Sequence, residues 1–170
     1  MSQQEPTVSA RLANGYEDML DAVHGILVRA EEQGSGTLRN ALEHASENLV
    51  ELGRLSREEA RDVADWIERD LHGAGEHLRA ESGELRDWLR FDLELIEDRL
   101  MALFAAVADQ TALKLRNLAL EAHPDGVWKA GEITGPGALI CKACGKELHF
   151  YEVSRIPACP ACHATAYRRP

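Results

Sequence analysis

The residues of this 170-residue chain best suited to chemistry are its four cysteines, near the C-terminal end. They form two Cys-x-x-Cys pairs with 14 residues between the pairs: Cys141, Cys144, Cys159 and Cys162. Each pair lets two sulfurs converge from one tight turn, and two such turns supply the tetrahedral thiolate set typical of a zinc ribbon. Because the protein fills all four positions, we predict one structural Zn²⁺ ion and no open position for substrate.

Two other uses of these cysteines remain open. Disulfides require an oxidising compartment, whereas residues Met1 to Pro6 have neither the basic nor the apolar region of an export signal. Iron is the main rival to zinc, because rubredoxins use similar paired turns. The second turn, however, is followed by His163 where a rubredoxin would have glycine. We therefore favour zinc, in a cytoplasmic and reducing location.

Charge is distributed unevenly along the chain. Residues 1–122 carry 13 basic and 25 acidic side chains, whereas residues 123–170 carry 6 basic and 4 acidic ones. An acidic surface repels a phosphate backbone, which argues against non-specific nucleic-acid binding by the N-terminal part. The longest apolar run, Met101 to Ala108, is too short to span a membrane.

Apolar residues at steps of three and four predict an acidic helical region over residues 1–123. Its helices are expected at about 7–32, 37–52, 57–72 and 84–122. The third begins with a Ser-x-x-Glu capping box at Ser56 and should end at Gly73-Ala74-Gly75. The last would be roughly 58 Å long at 1.5 Å per residue. The predicted fold is therefore mainly α, an elongated antiparallel helical bundle or coiled coil.

From residue 127 to 170 the pattern changes to short strands and turns. Strands are expected at Trp128–Ile133, Ala138–Ile140, Glu147–Glu152 and Thr165–Arg168, with a turn at Thr134–Gly137. So few apolar residues cannot fold alone, which predicts a small β zinc ribbon held together by its metal.

The amino-acid sequence of the ribbon resembles that of the YbeL-like bacterial zinc-ribbon-containing proteins, a family of unassigned function. The resemblance rests on Gly131-x-Ile133-x-Gly135-Pro136-Gly137, the two cysteine turns, Ile156-Pro157 and the basic pair Arg168-Arg169. It extends upstream to an Arg-Asp-Leu element, here Glu68-Arg69-Asp70-Leu71. It implies four metal-ligating cysteines and no activity. A looser similarity is to DksA/TraR-type transcription factors, which join a helical hairpin to a four-cysteine zinc finger.

Other groups of polar or aromatic residues are weaker candidates for function. The carboxylates of the third helix, Glu58 to Asp70, alternate with arginines and are expected on a solvated face, as is a His72/His77 pair. Trp66 and Trp88 are expected to be core or staple residues, and Phe91 lies near the start of the last helix. The ribbon offers a locally basic surface beside aromatic residues: Lys142, Lys146, Arg155, Arg168 and Arg169, with His149, Phe150 and Tyr151.

The closed metal site and the lack of a catalytic motif favour a non-enzymatic interaction protein or scaffold, with a protein partner or a second copy bound through the helices. One alternative is a transcription-associated factor that contacts RNA polymerase or nucleic acid. The other is a rubredoxin-like electron carrier, which would be red.

Overall fold

The computed structural model describes residues 7–33, 38–79, 102–103, 106–107 and 126–170. Three helices pack against one another: α1 (Val8–Gln33), α2 (Leu38–Glu51) and α3 (Arg57–Arg79). They are followed by six short strands: β1 (Trp128–Lys129), β2 (Ile133–Thr134), β3 (Gly137–Cys141), β4 (Glu147–Phe150), β5 (Ser154–Arg155) and β6 (Ala166–Arg168). Mainly helical structure with a small C-terminal antiparallel sheet region is thus confirmed.

The amphipathic pattern places most of the predicted apolar residues in the core. Tyr16, Met19, Val23 and Leu27 of α1 are buried, and α2 and α3 contribute Ala41, Leu42, Ala45, Leu49, Ala60, Val63, Ile67 and Leu71. Two residues at the same apolar spacing, which predicts burial, lie outside the core: Val8 is 60% exposed and Leu52, just past α2, is 72% exposed. Trp66 packs partly buried against this core, as expected.

Local signals set the ends of the helices. Thr7 accepts a hydrogen bond from the Ala10 N–H at the start of α1 (3.2 Å). The capping box predicted at α3 is confirmed by reciprocal bonds between Ser56 and Glu59 of 2.9 and 3.2 Å. Gly53, with φ of 66°, lies in the left-handed conformation common just past a helix.

The predicted end of α3 at Gly73-Ala74-Gly75 is wrong, because the helix continues to Arg79. Glycine costs a helix about 1 kcal/mol relative to alanine, which packing can outweigh. Leu71 is fully buried just before the glycines. A Cβ built at Gly73 would lie 3.5 Å from the Trp128 ring, so the ribbon packs directly against this turn of the helix.

Only residues 102–103 and 106–107 of the helix predicted at 84–122 are described, and they are helical. Val107 is fully buried in the core shared by the three helices, with Leu103 packed against it. The rest of that prediction lies outside the described residues. The same holds for Trp88, Phe91 and residues 123–125 of the predicted boundary between the helical region and the ribbon.

The strands form two antiparallel sheets. The larger has the order β1-β6-β3-β4, and the smaller consists of β2 and β5. The single strand predicted at Trp128–Ile133 is wrong: Gly131, with φ of 99°, lies in a turn that separates β1 from β2. Strand β5 was not predicted. The turn at Gly131 directs β2 away from the zinc turns and toward the helices.

The two sheets contribute to different apolar cores. Ile133 of β2 and Val153, next to β5, are buried together with the residues of the three helices. The larger sheet surrounds a separate core made by Trp128, Leu139, Cys141, Phe150, Ile156, Cys159 and Tyr167. The ribbon therefore has one core of its own and also completes the helical core.

Two glycines of α1 give a matched test of this packing. A Cβ at Gly15 would lie 2.8 Å from a Leu55 methyl carbon, whereas a Cβ at Gly25 would meet only the Arg29 guanidinium at 3.6 Å. We expect Gly25→Ala to raise the free energy of unfolding by about 0.5–1 kcal/mol, because alanine favours helix. Gly15→Ala should lower it by about 1 kcal/mol, because the buried Leu55 must move.

The measurement is urea unfolding of the zinc-loaded protein, followed by circular dichroism. Equal stabilisation by both substitutions would contradict the close packing of Leu55 on α1.

Candidate metal centre

The structure brings all four predicted cysteines together. Their sulfur atoms lie within 4.8 Å of one another, and the Cys141–Cys162 and Cys144–Cys159 sulfur pairs are each 3.6 Å apart. A tetrahedral ion with Zn–S bonds of about 2.3 Å requires sulfurs about 3.8 Å apart. The arrangement therefore fits one zinc ion with four thiolate ligands. It is the one cluster of this kind in the described parts of the chain.

Two similar turns hold the sulfurs. The Gly145 N–H donates to the Cys141 carbonyl (3.0 Å), and the His163 N–H donates to the Cys159 carbonyl (2.8 Å). Both donors come just after a Cys-x-x-Cys pair and both have positive φ, 76° for Gly145 and 60° for His163. Histidine is among the non-glycine residues that adopt this conformation more often. A rubredoxin would have glycine at this position, and its absence was the sequence argument against iron. His163 occupies the position with the same positive φ.

Backbone N–H groups donate to the sulfurs of Cys141, Cys159 and Cys162 and favour the thiolate form. For Cys162, however, the effect of the Ala164 N–H is outweighed by the neighbouring thiols, which raise the pKa to about 12. In the metal-free thiols, the N–H of Cys144 lowers the pKa of Cys141. Burial raises the pKa of Cys159, but the N–H groups of Ala161 and Cys162 outweigh it and bring that pKa to about 7. These donors stabilise negative charge on sulfur, which is the form that binds metal.

Three other polar residues of the ribbon, Tyr167, His163 and His149, are not among the predicted metal ligands. Tyr167, paired with Cys141 in the sheet, donates its hydroxyl proton to the Pro157 carbonyl (2.7 Å). Burial, and then the charge of the neighbouring thiolates, raises its pKa to about 12, so this hydroxyl stays protonated. His163 is exposed, and His149 lies 3.5 Å from the Glu147 carboxylate.

A second polar site, absent from the sequence predictions, lies between the ribbon and the helices. Its centre is Asp70 of α3, which is fully buried. Four groups other than arginine donate hydrogen bonds to its carboxylate: the Tyr16 hydroxyl (2.9 Å), the Trp128 indole N–H (2.6 Å), the Thr134 hydroxyl (3.2 Å) and the Gly135 N–H (2.8 Å). One donor comes from α1 and three come from the ribbon.

Two arginines complete this site, which we call the Asp70 cluster: Tyr16, Arg69, Asp70, Trp128, Thr134, Gly135 and Arg169. Arg69 and Arg169 lie 3.4 and 3.7 Å from an Asp70 oxygen, with their guanidinium carbons 4.9 and 5.3 Å from the centre of the Trp128 ring. Arg169 also donates to Thr134 (3.0 Å) and to the Ala138 carbonyl (3.2 Å). Arg69 pairs with Glu132 and donates to the Ile133 carbonyl (3.2 Å).

Burial shifts the pKa of two members of the Asp70 cluster, Tyr16 and Arg169. It raises the pKa of Tyr16 well above its usual value, and the charge of Asp70 raises it further, so Tyr16 remains a hydrogen-bond donor. Burial also lowers the pKa of Arg169, against the opposing effect of Asp70. An arginine remains charged even so. The cluster therefore joins a carboxylate and two guanidinium groups in a water-poor interface.

Three sequence predictions are corrected here. Arg69 and Asp70 do not lie on the solvated face of α3, and Arg169 does not belong to the basic surface of the ribbon, because it is only 8% exposed. The one sequence signal for these residues was the resemblance to the family, because the Arg-Asp-Leu element contains Arg69 and Asp70 and the final basic pair contains Arg169. Lys142, Lys146, Arg155 and Arg168 are exposed, as expected.

Comparison with known proteins finds similarity over most of the chain. A family model described as a zinc-ribbon containing domain matches residues 27–170. The chain is 28% identical over 165 residues to a protein of Escherichia coli K12 named "Uncharacterized protein YbeL", covering 96% of this chain and 90% of that protein. The protein of the same name from Escherichia coli O157:H7 matches equally. No solved structure matches.

We expect the purified protein to be colourless and to contain one zinc ion per chain, measured by elemental analysis and visible absorption. Cys144→Ser should lose most of this zinc, because it removes one of four ligands, whereas His163→Asn, which tolerates the positive φ beside the same site, should keep it. Red protein with stoichiometric iron would contradict the zinc assignment.

Proposed function

This chain belongs to the zinc-ribbon containing domain family, and we propose that it is a non-enzymatic protein-interaction module of the cytoplasm. The observation that carries the proposal is the closed metal centre, where four converging cysteine sulfurs leave no position for substrate. One structural zinc ion holds the ribbon, and partner binding is assigned to the helices. No helix in the described part of the chain is long and apolar enough to cross a membrane.

A groove between α2 and α3 is the surface that we assign to the partner. Its volume is about 790 Å³. Its apolar lining comes from Leu42, Val50, Ala60 and Ala64. Its charged lining has three basic and five acidic side chains: Arg39, Arg57, Arg61, Glu43, Glu47, Glu51, Asp65 and Glu68.

This lining fits an amphipathic protein segment with apolar residues on one face and basic residues at its edges. An apolar strip between charged walls is how helical peptides are commonly held in grooves. The excess of carboxylates favours a basic partner through charge complementarity. In the elongated bundle predicted from the sequence, residues 84–122 would pack with the same helices. A second copy of the chain is the other ligand of the groove that we test.

The double substitution Glu43→Lys/Glu47→Lys should weaken partner binding by tenfold or more, a change worth about 1.4 kcal/mol, because it places like charges against a basic segment. Glu152→Lys, on the exposed part of the ribbon, is the control for added positive charge outside the groove. The tagged full-length proteins would be compared by affinity purification from native lysate with mass spectrometry, and by sedimentation for self-association.

A protein recovered with the wild type and the control, but lost with the groove variant, would support the proposal. The absence of both a specific partner and self-association at micromolar concentration would contradict it.

A second candidate, a transcription-associated factor, is favoured by the exposed basic surface of the ribbon. Lys142 and Lys146 lie in the first zinc turn, and Tyr151 beyond β4 is 39% exposed, an arrangement suited to phosphate contacts and base stacking. The acidic charge of residues 1–122 limits such binding to the ribbon.

If this candidate is correct, fluorescence anisotropy should show saturable binding to single-stranded or duplex DNA, or RNA polymerase subunits should be recovered in the purification. Lys142→Ala/Lys146→Ala should then reduce the salt dependence of DNA binding by about two ions released, because two phosphate contacts are lost. The absence of both DNA binding at about 50 mM salt and polymerase recovery would exclude this candidate.

A further inference from the structure

The sheet that contains Cys141 also contains Trp128 of the Asp70 cluster, and Arg169 comes just after its strand β6. Tyr167 of β6 pairs with Cys141 on one side and with Trp128 on the other. Arg169 follows β6 directly. A change in the pairing of β3 with β6 at the metal centre is therefore transmitted within one or two residues to Trp128 and Arg169.

The other end of β3 is fixed by the same arginine. Gly137 has φ of 138°, and a Cβ on it would overlap the Arg169 guanidinium. The Arg169 side chain therefore crosses the start of β3, while Cys141 lies at the end of that strand. Metal binding at one end of β3 and the arginine contact at the other both depend on the same strand pairing.

On the helical side, Asp70 depends on these ribbon groups for its burial. Three of its four hydrogen-bond donors other than arginine, and one of its two arginines, come from residues 128–169. A buried carboxylate without donors is strongly unfavourable, so it must regain water or move. Because Asp70 is fully buried on α3 and bonded to Tyr16 of α1, either change disturbs the packing of both helices.

We propose that zinc binding at the four cysteines stabilises the contacts between the ribbon and the helical core. Loss of zinc breaks the contacts that Trp128, Thr134, Gly135 and Arg169 make with Asp70, and the packing of α1 and α3 then becomes less stable. The ribbon without metal has too small a core to keep its strands paired. The coupling depends only on contacts within this chain, so it holds whatever partner the helices bind.

Coupling of this kind must be reciprocal. If zinc stabilises the contacts at Asp70, then the contacts at Asp70 must strengthen zinc binding by the same factor. This factor is typically about 5- to 150-fold between linked sites. Substitution of a helical carboxylate that lies outside the ribbon should therefore lower the affinity of the four cysteines for zinc, a result that an independently folding ribbon would not give.

The first experiment uses the wild-type protein with and without zinc, the metal being removed by a chelator under reducing conditions. Hydrogen exchange would be followed by mass spectrometry for peptides covering residues 57–73 of α3 and 8–27 of α1. We expect amide protection in both helices to fall by about tenfold or more on zinc removal. Unchanged protection in both helices, with loss confined to residues 126–170, would overturn the proposal.

The second experiment measures zinc affinity of the full-length protein by competition with a chromophoric chelator. Asp70→Asn should weaken zinc binding by about tenfold. Asp65→Asn, at an exposed carboxylate of the same helix, should leave it unchanged. Tyr16→Phe, which removes a single donor, should weaken it by a smaller factor and serves if Asp70→Asn does not fold. Equal zinc affinity of the wild type and Tyr16→Phe or Asp70→Asn would also overturn the proposal.

Discussion

The burial of one carboxylate is the constraint on which the rest of this structure depends. Asp70 has no exposed surface, yet it carries a charge that only direct partners can stabilise. Four donors and two arginines surround it, and they come from α1, α3 and the ribbon. Removing one partner of a buried ionic group commonly costs about 3–5 kcal/mol, which is a large share of a domain's stability.

This constraint changes the meaning of the metal centre. Four thiolates around zinc form a structural site in a small sheet, and the same sheet supplies Trp128 and Arg169 to Asp70. Two apolar residues of the ribbon, Ile133 and Val153, are buried in the helical core. The ribbon is therefore both a metal-stabilised unit and a part of the helical core, and its metal contributes to the stability of helices that lie outside the ribbon.

The features that could be predicted from the sequence are those determined by neighbouring residues. The cysteine turns and the capping box at Ser56 each depend on side chains three residues apart, so spacing alone identifies them. The hydrogen bonds that Asp70 accepts from Tyr16, Trp128, Thr134 and Gly135 join residues 54 to 65 positions apart. Charged residues on an amphipathic helix are usually solvated, and only tertiary contacts reveal the exceptions. The same contacts explain why α3 continues past Gly73, where the Trp128 ring covers the helix.

The Trp128 indole proton offers the most direct measurement of the central contact. In the structure it donates to Asp70 at 2.6 Å inside a buried interface. Nuclear magnetic resonance of the zinc-loaded protein, with the indole resonances assigned by Trp→Phe substitution, should show this proton protected from exchange with water. Its chemical shift should also change in Asp70→Asn. A Trp128 indole proton that exchanges as fast as that of an exposed tryptophan would contradict the buried link between the ribbon and the helices.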